Sequence, residues 1–367
     1  MKKVLFITNY PAPYRVRFFD ALGKYMDVTV LFSDRVEEKK HRSAQWFESG
    51  EGHFRVEQLK KRVFSRHGRD LCTDVVDWIK QDFDHIVVCG YSNPTVIYAM
   101  TYMRARKIPF YMEVDGGLIR EEAGYKRYMK SRLVGAANAW ISSGSYTSKY
   151  LMHYGAREED IHFYPFSSLW ERDIPETAVS REEKENLRRK LGIAEGKMVL
   201  TIGQFIRRKG FDVLLRSAAA LDKNIGIYIV GGEPTEEYLR LCRELDLKNV
   251  HFLGFMKKEE LVRHYKAADL FALPTREDIW GLVINEAMAY GLPVITTDRC
   301  VAGLELVEDG VNGYIIGVED EKALAEKIEA CFASDYHAMG EKSLEKVRPY
   351  TIENMAKTHV EILESGR

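Results

Sequence analysis

Leu273-Pro-Thr-Arg-Glu-Asp278-Ile-Trp-Gly281-Leu-Val-Ile-Asn-Glu286-Ala-Met-Ala-Tyr-Gly291-Leu-Pro-Val-Ile295 holds a strand end, a loop, a helix and the start of a second strand within 23 residues. The apolar run Leu270-Phe-Ala-Leu273 stops at a proline, as a buried strand does. A polar loop follows. A helical pattern begins near Gly281 and ends at Gly291, a residue type suited to the turn after a helix, and Pro293 opens the next apolar run. Strand, loop, helix and strand in this order put the helix start at the carboxyl end of a parallel strand. Ligands bind at that end of doubly wound sheets.

The same unit repeats outward in both directions. Met198-Val-Leu-Thr-Ile202, Gly226-Ile-Tyr-Ile-Val230, Val250-His-Phe-Leu253, Pro293-Val-Ile-Thr296 and Gly313-Tyr-Ile-Ile316 are further strands with helical patterns between them. The first half holds a second set: Val4-Leu-Phe-Ile-Thr8, Val28-Thr-Val-Leu-Phe32, His85-Ile-Val-Val-Cys89, Pro109-Phe-Tyr-Met-Glu113 and Ala139-Trp-Ile-Ser-Ser143. Two such arrays predict an α/β chain of two doubly wound, Rossmann-like domains facing across a cleft. The expected division is a first domain over 1–168, a linker with a lead-in helix at 169–196, and a second domain over 197–351. The last helix, 352–367, has no strand after it and is expected to pack back on the first domain.

Bulk properties agree with this size. The chain has 367 residues, too many for one ordinary domain, with 46% hydrophobic and 30% charged residues. No apolar run reaches the roughly 20 residues of a membrane span. The opening Met1-Lys-Lys-Val-Leu-Phe-Ile-Thr8 is cut short by Asn9-Tyr10-Pro11, so it reads as a strand and not a leader. The five cysteines, Cys72, Cys89, Cys242, Cys300 and Cys331, are odd in number and lack metal spacing, which points to free thiols in a reducing cytoplasm.

The net charge of −1 is unevenly spread: residues 1–170 carry 26 Lys+Arg against 20 Asp+Glu, and the rest carry 28 against 35. A basic first half suits an anionic partner such as a membrane surface or a phosphorylated acceptor, and ordinary solvated faces explain it as well. No nucleic-acid partner is expected.

Chemistry gathers where strands end. The first amides of the helix at Gly281, Leu282 and Val283 would face a ligand, and the helix dipole favours a diphosphate there. Asp278 precedes those amides and Glu286 lies inside the helix, so two double acceptors flank the phosphate position. On these residues alone, Asp278 as an N-terminal cap and Glu286 as a buried polar group is the competing reading.

A second cluster, Gly203-Gln204-Phe-Ile-Arg207-Arg208-Lys209-Gly210, also follows a strand and precedes a helix, and its cations suit a diphosphate or simply a solvated turn. Gly231-Gly232 allows close backbone approach or is a plain turn. No Gly-x-Gly-x-x-Gly follows the first strand, where Pro11-Ala-Pro13-Tyr14 stands instead, which counts against a nicotinamide-binding domain. The one Asp-x-Asp, Asp82-Phe-Asp84, precedes its strand and so sits at the wrong end of the sheet for a metal.

Taken together, Ala267-Ala-Asp269-Leu-Phe-Ala-Leu-Pro274, Trp280-Gly-Leu-Val283, Glu286-Ala-Met-Ala, Gly291-Leu-Pro-Val-Ile295 and Glu308-Asp-Gly310-Val-Asn-Gly313 resemble the donor-domain signature of glycosyltransferase family 4, retaining enzymes of the GT-B fold. The first half resembles it more loosely.

By that resemblance Glu286 would hold the ribose hydroxyls and Asp278, or its neighbour Glu277, would contact the donor sugar. The family pattern has two glutamates, and Asp278 stands at the first of them, which puts donor choice in doubt. Lys209 matches the family lysine, whereas Gln204 stands where an arginine is usual, leaving Arg207 or Arg208 to compensate. Gly203 and Gly232 would approach the donor, and the backbone near Phe255 the base. Asp115, in Glu113-Val-Asp115-Gly116-Gly117, lies at a strand end and would face the acceptor, or is a loop-capping residue; Tyr14, Arg15 and Gly116 are expected beside it.

The resemblance implies a metal-free, retaining transfer from a nucleotide-diphosphate sugar, UDP-linked in preference to GDP-linked. The expected acceptor is a glycan or lipid-linked glycan of cell-surface polysaccharide synthesis, at the cytoplasmic face of a membrane. The basic patches Lys60-Lys-Arg62, Arg66-His-Gly-Arg69 and Lys126-Arg-Tyr-Met-Lys-Ser-Arg132 would serve membrane docking, or are ordinary solvated helix faces. A sugar-nucleotide epimerase of the same fold, a non-catalytic sugar-nucleotide binding protein and a nicotinamide oxidoreductase are the rivals.

Overall fold

The computed structural model describes residues 1–33, 52–66 and 69–365. The chain folds into two compact units. One takes Met1–Trp170 with the returning chain from Tyr350, and the other takes Glu171–Pro349.

In the first unit the strands are β1 (Lys3–Thr8), β2 (Asp27–Phe32), β3 (Arg55–Gln58), β4 (Arg62–Arg66), β5 (Arg69–Cys72), β6 (His85–Cys89), β7 (Tyr111–Val114), β8 (Ala139–Ser142) and β9 (Ile161–Phe163). Seven of them form a parallel sheet in the order β3-β2-β1-β6-β7-β8-β9, and β4 pairs antiparallel with β5. Five of the six residues of β1 and of β2 are buried, as helices on both faces require. The helix Pro13–Gly23 lies over β1 through Phe18 and Phe19, whose rings meet Phe6. The helix Ile352–Ser365 belongs to this unit, with His359 against Phe18 (centroids 4.6 Å apart) and Ile352 N donating to Leu169 O at 2.7 Å.

The second unit contains β10 (Lys197–Ile202), β11 (Ile225–Val230), β12 (Val250–Leu253), β13 (Leu270–Leu273), β14 (Val294–Thr297) and β15 (Gly313–Ile316), all parallel, in the order β12-β11-β10-β13-β14-β15. The chain runs outward from β10 to β12, then returns to the other side of β10 with β13. The switch in winding direction therefore lies between β10 and β13, the place where such sheets open a crevice at their carboxyl ends. All six residues of β11 are buried, and Phe211, Leu214 and Leu215 of the helix before it, Phe211–Ala218, cover the same core.

The segment 169–196, expected as a linker, is no separate element: the second unit begins at Glu171. Its helix Arg181–Leu191 is capped by Ser180, whose hydroxyl accepts from Glu183 N. The helix is rich in charge, yet Lys184 and Arg188 are buried. Lys184 Nζ donates to Ala268 O at 2.7 Å, Arg188 Nε donates to Ala267 O at 2.9 Å, and Arg188 pairs with Asp269. Long aliphatic stems carry these charges inward to the carbonyls before β13.

Candidate functional site

The residues expected on the donor side come from two loops at the switch point of the second sheet. After β10, Gly203 N donates to Val230 O at 2.9 Å. A Cβ on Gly231 would lie 1.6 Å from Gly203 O, so the two strand-end loops meet at backbone distance. A 3-10 turn, Arg207–Lys209, then leads to Gly210, where φ is 70° and a Cβ would fall 1.9 Å from Pro274 O. Only glycine fits there, and the contact presses the first loop against the second.

The second loop follows β13. Thr275 Oγ1 donates to Arg208 O at 2.9 Å, Arg276 N donates to the same carbonyl at 2.8 Å, and Arg208 Nη1 donates back to Glu277 O at 2.7 Å. These bonds bring the predicted charges together. Lys209 Nζ lies 2.6 Å from Asp278 Oδ2, and Arg208 Nη1 lies 3.5 Å from Asp278 Oδ1. Both Lys209 and Asp278 are mostly buried.

Asp278 does not cap the helix, contrary to the competing reading of it. The helix Leu282–Ala289 has Gly281 at its N-cap and receives no side-chain capping bond, and Asp278 N instead donates to Arg299 O at 2.8 Å. The first amides of a helix have no acceptor within it, so Gly281, Leu282 and Val283 start an anion-favouring helix end beside the Lys209–Asp278 pair. Leu282, Val283 and Glu286 are half-buried while Ile284 and Asn285 are buried, so those three share the outer side of this short helix. Glu286 accepts from Tyr265 Oη at 2.9 Å. Burial, and then the Glu286 carboxylate, push the Tyr265 hydroxyl well above its ordinary range, which keeps it a donor. Gln204 is exposed, Glu277 is half-buried, no atom lies within 4 Å of where a Gly232 Cβ would stand, and Phe255 is 88% exposed.

The residues expected on the acceptor side meet at the carboxyl ends of β1 and β7. Arg15 Nη1 lies 3.1 Å from Glu113 Oε1 and Arg15 Nη2 lies 2.7 Å from Asp115 Oδ2. Asp115 also accepts from Tyr14 Oη at 3.0 Å and Tyr164 Oη at 2.8 Å. Glu113 Oε2 lies 3.6 Å from His359 Nε2. Gly116 is buried beside them. Asp115 is thus the centre of a hydrogen-bonded cluster and not a lone loop cap. Burial pushes the Glu113 carboxyl up, but the Arg15 guanidinium and the His359 imidazole outweigh it and hold it at about 2. Burial raises Asp115 against the pull of Arg15, with the Glu113 carboxylate adding to the rise.

Sequence reasoning missed Arg276, Asp212, Glu319 and Tyr265 on the donor side and Glu113, Tyr164 and His359 on the other. Their partners are remote in sequence, and no local spacing marks them. Arg276 stands inside the decisive stretch, but as one cation in a polar loop.

Among the expected basic patches, Lys61 pairs with Asp77 and Arg62 with Asp70, while His67 and Gly68 lie outside the described residues. The helix Gly124–Val134 differs. It buries only Val134 and exposes Tyr125, Tyr128 and Met129 beside Lys126, Arg127 and Arg132. Among the described residues no helix is long and apolar enough to cross a membrane, and no three His, Cys, Asp or Glu gather as metal ligands. Asp84 Oδ2 accepts from Lys3 N at 2.7 Å, at the amino end of its sheet.

Two parallel-sheet, Rossmann-like units of this topology give the chain the GT-B fold. The solved structures of Anabaena HepE in complex with UDP (TM-score 0.79, 20% identity, all of both chains) and of sucrose-phosphate synthase from Thermosynechococcus elongatus (TM-score 0.75, 18% identity, 99% of this chain and 98% of that one) share this fold. Residues 183–350 match the family described as glycosyl transferases group 1, within the second unit. A D-inositol 3-phosphate glycosyltransferase from Corynebacterium urealyticum is 36% identical over 197 residues, 49% of this chain and 46% of that protein. An uncharacterized glycosyltransferase from Methanocaldococcus jannaschii is 31% identical over 203 residues, 53% of this chain and 50% of that protein. The chain spans about half the length of the curated relatives it matches.

Proposed function

We propose that the chain is a retaining glycosyltransferase of family 4. It moves a sugar from a nucleotide-diphosphate sugar, UDP-linked in preference to GDP-linked, to a glycan or lipid-linked acceptor in cell-surface polysaccharide synthesis. The observation that carries this reading is the convergence of Lys209, Arg208 and the uncapped helix start at Gly281–Val283, with Glu286 in the same helix. Structures of HepE with UDP and with UDP-glucose support a uridine donor by likeness of fold.

The reaction breaks the bond between the anomeric carbon and the diphosphate oxygen and forms one to an acceptor oxygen on the same face. The acceptor proton leaves with the diphosphate. Negative charge grows on that leaving group, and Lys209, Arg208 and the helix amides stabilise it from fixed positions, in a reading that assigns no metal. Without donor, the Asp278 carboxylate neutralises Lys209; on donor binding Asp278 turns to the sugar hydroxyls and the diphosphate takes its place. Glu286, oriented by Tyr265, holds the ribose. Asp115, Tyr14, Arg15 and Gly116 form the acceptor side.

Lipid-linked acceptors place the work at the cytoplasmic face of a membrane. The exposed cations and aromatic rings of Gly124–Val134 suit an anionic lipid surface. Flotation with anionic vesicles, abolished by K126E/R127E, is the expected result; unchanged flotation contradicts docking through this helix.

The test of the reaction is incubation with UDP-glucose, UDP-galactose, UDP-N-acetylglucosamine and GDP-mannose, with and without lipid-linked and free oligosaccharides. Products are weighed by mass spectrometry and their anomeric configuration is read by NMR. An acceptor heavier by one sugar, with the donor's configuration kept, is expected. Donor epimerised without acceptor marks an epimerase, and binding without turnover on any acceptor marks a binding protein.

A further inference from the structure

We propose that Arg276 is a positioning residue that ties the turn after β10 to the loop after β13 and so sets where Lys209 and Arg208 meet the donor diphosphate. The inference rests on the donor-site reading above and adds a residue to it. Every N–H of the Arg276 guanidinium has its own acceptor. Nη1 donates to Asp212 Oδ1 at 2.8 Å and to Arg207 O at 2.5 Å. Nη2 donates to Asp212 Oδ2 and to Glu319 Oε2, each at 2.7 Å, and Nε donates to Glu319 Oε1. Five donors meet five acceptors, the full capacity of the group.

The acceptors decide what the residue does. Asp212 stands in the first turn of the helix Phe211–Ala218 that follows the Lys209 turn. Arg207 O and, through the Arg276 backbone N–H, Arg208 O are the carbonyls immediately before Lys209. From a single residue on the Asp278 loop, the bonds therefore fix both ends of the turn that carries the cations. Gly210 closes the arrangement through its contact with Pro274 O.

Glu319 reaches Arg276 from a backbone with φ of 60°, an uncommon conformation for a side chain other than glycine. The strain is tolerated where the carboxylate completes the fork. Burial pushes the Asp212 carboxyl up, but its bonds from Arg276 outweigh this and hold it below the ordinary range. Arg276 itself is 18% exposed and touches no strand of the sheet through these bonds, so its role is local to the two loops. A lysine has three donors on a flexible stem and cannot reproduce the planar fork.

Calorimetric titration with uridine, UMP and UDP, beside thermal unfolding, separates positioning from general support. The wild type is expected to bind UDP more tightly than uridine. R276Q is expected to lower that UDP-to-uridine ratio about tenfold, the scale of one charge-assisted hydrogen bond. Uridine affinity should stay within about twofold, and R276K should recover only part of the ratio. E319Q, which removes the carboxylate charge at the exposed end, is expected to lower the ratio about threefold. It serves as the test if R276Q does not fold. An unchanged ratio in R276Q or E319Q, or uridine and UDP weakened alike, overturns the positioning role and leaves the donor site standing. No preference for UDP over uridine in the wild type overturns the donor-site reading and the positioning role with it.

Discussion

Lys209 Nζ and Asp278 Oδ2 sit 2.6 Å apart with both side chains largely out of water, so each holds the other's charge. In the proposed reaction, removing the lysine takes away a cation placed beside the leaving group. K209A is expected to lower kcat by about 10²–10³, the usual cost of losing one pre-placed donor to developing charge. Steady-state rates beside thermal unfolding check it, and near-normal turnover contradicts the role.

Glu113 makes a second prediction at the same scale. Its carboxyl is held at about 2 against an ordinary 4.5, so folding gains stability above the ordinary value and loses it as pH falls from there towards 2. Asp115, raised by burial, acts in the opposite sense as pH rises through its own titration. Wild type should therefore lose more urea resistance between pH 7 and pH 3 than E113Q does, and equal losses contradict the assignment.

Lys209, Asp278 and Glu286 could be picked out in the sequence because each stands at a fixed offset from a strand end or a helix start. Arg276 is joined to Asp212 and Glu319 across 64 and 43 residues, and His359 reaches Glu113 from the far end of the chain. Pairings of that kind depend on how the sheet is wound, which no local pattern records.

At the scale of elements, the strands with continuous apolar runs announced themselves, since a strand covered on both faces has little choice of composition. β3 did not. Arg-Val-Glu-Gln is an edge strand with three exposed residues and no apolar run, the guise that edges adopt to avoid pairing with other chains. The β4–β5 hairpin escaped for the same reason, with Arg62, Arg66 and Arg69 in its strands.

The joint between the two donor loops gives the prediction that belongs here. G210A places a methyl where Pro274 O already lies, on a backbone with φ of 70°. It should destabilise the second unit by at least about 1 kcal/mol, more than a tolerated glycine-to-alanine change would shift it. It should also weaken UDP binding while Glu286 is untouched. Denaturant midpoints and calorimetry check both, and a neutral G210A contradicts the close approach.

For the whole molecule, the first sheet and the second each have their own core and their own reversal of winding. The two-unit plan was readable because apolar strands alternate with helical patterns through both halves of the chain. The boundary was less so. The charged helix Arg181–Leu191 buries two cations within the second unit, and its composition set it apart with the linker as a lead-in helix.

A donor held by one unit should stabilise that unit alone. Hydrogen exchange with and without UDP, repeated with GDP, locates the nucleotide. Slowed exchange is expected at Gly281–Val283 and across Gly203–Gly210, with the amides of β1 and β7 unchanged. Protection confined to the first unit, or none with either nucleotide, would contradict the donor-site reading.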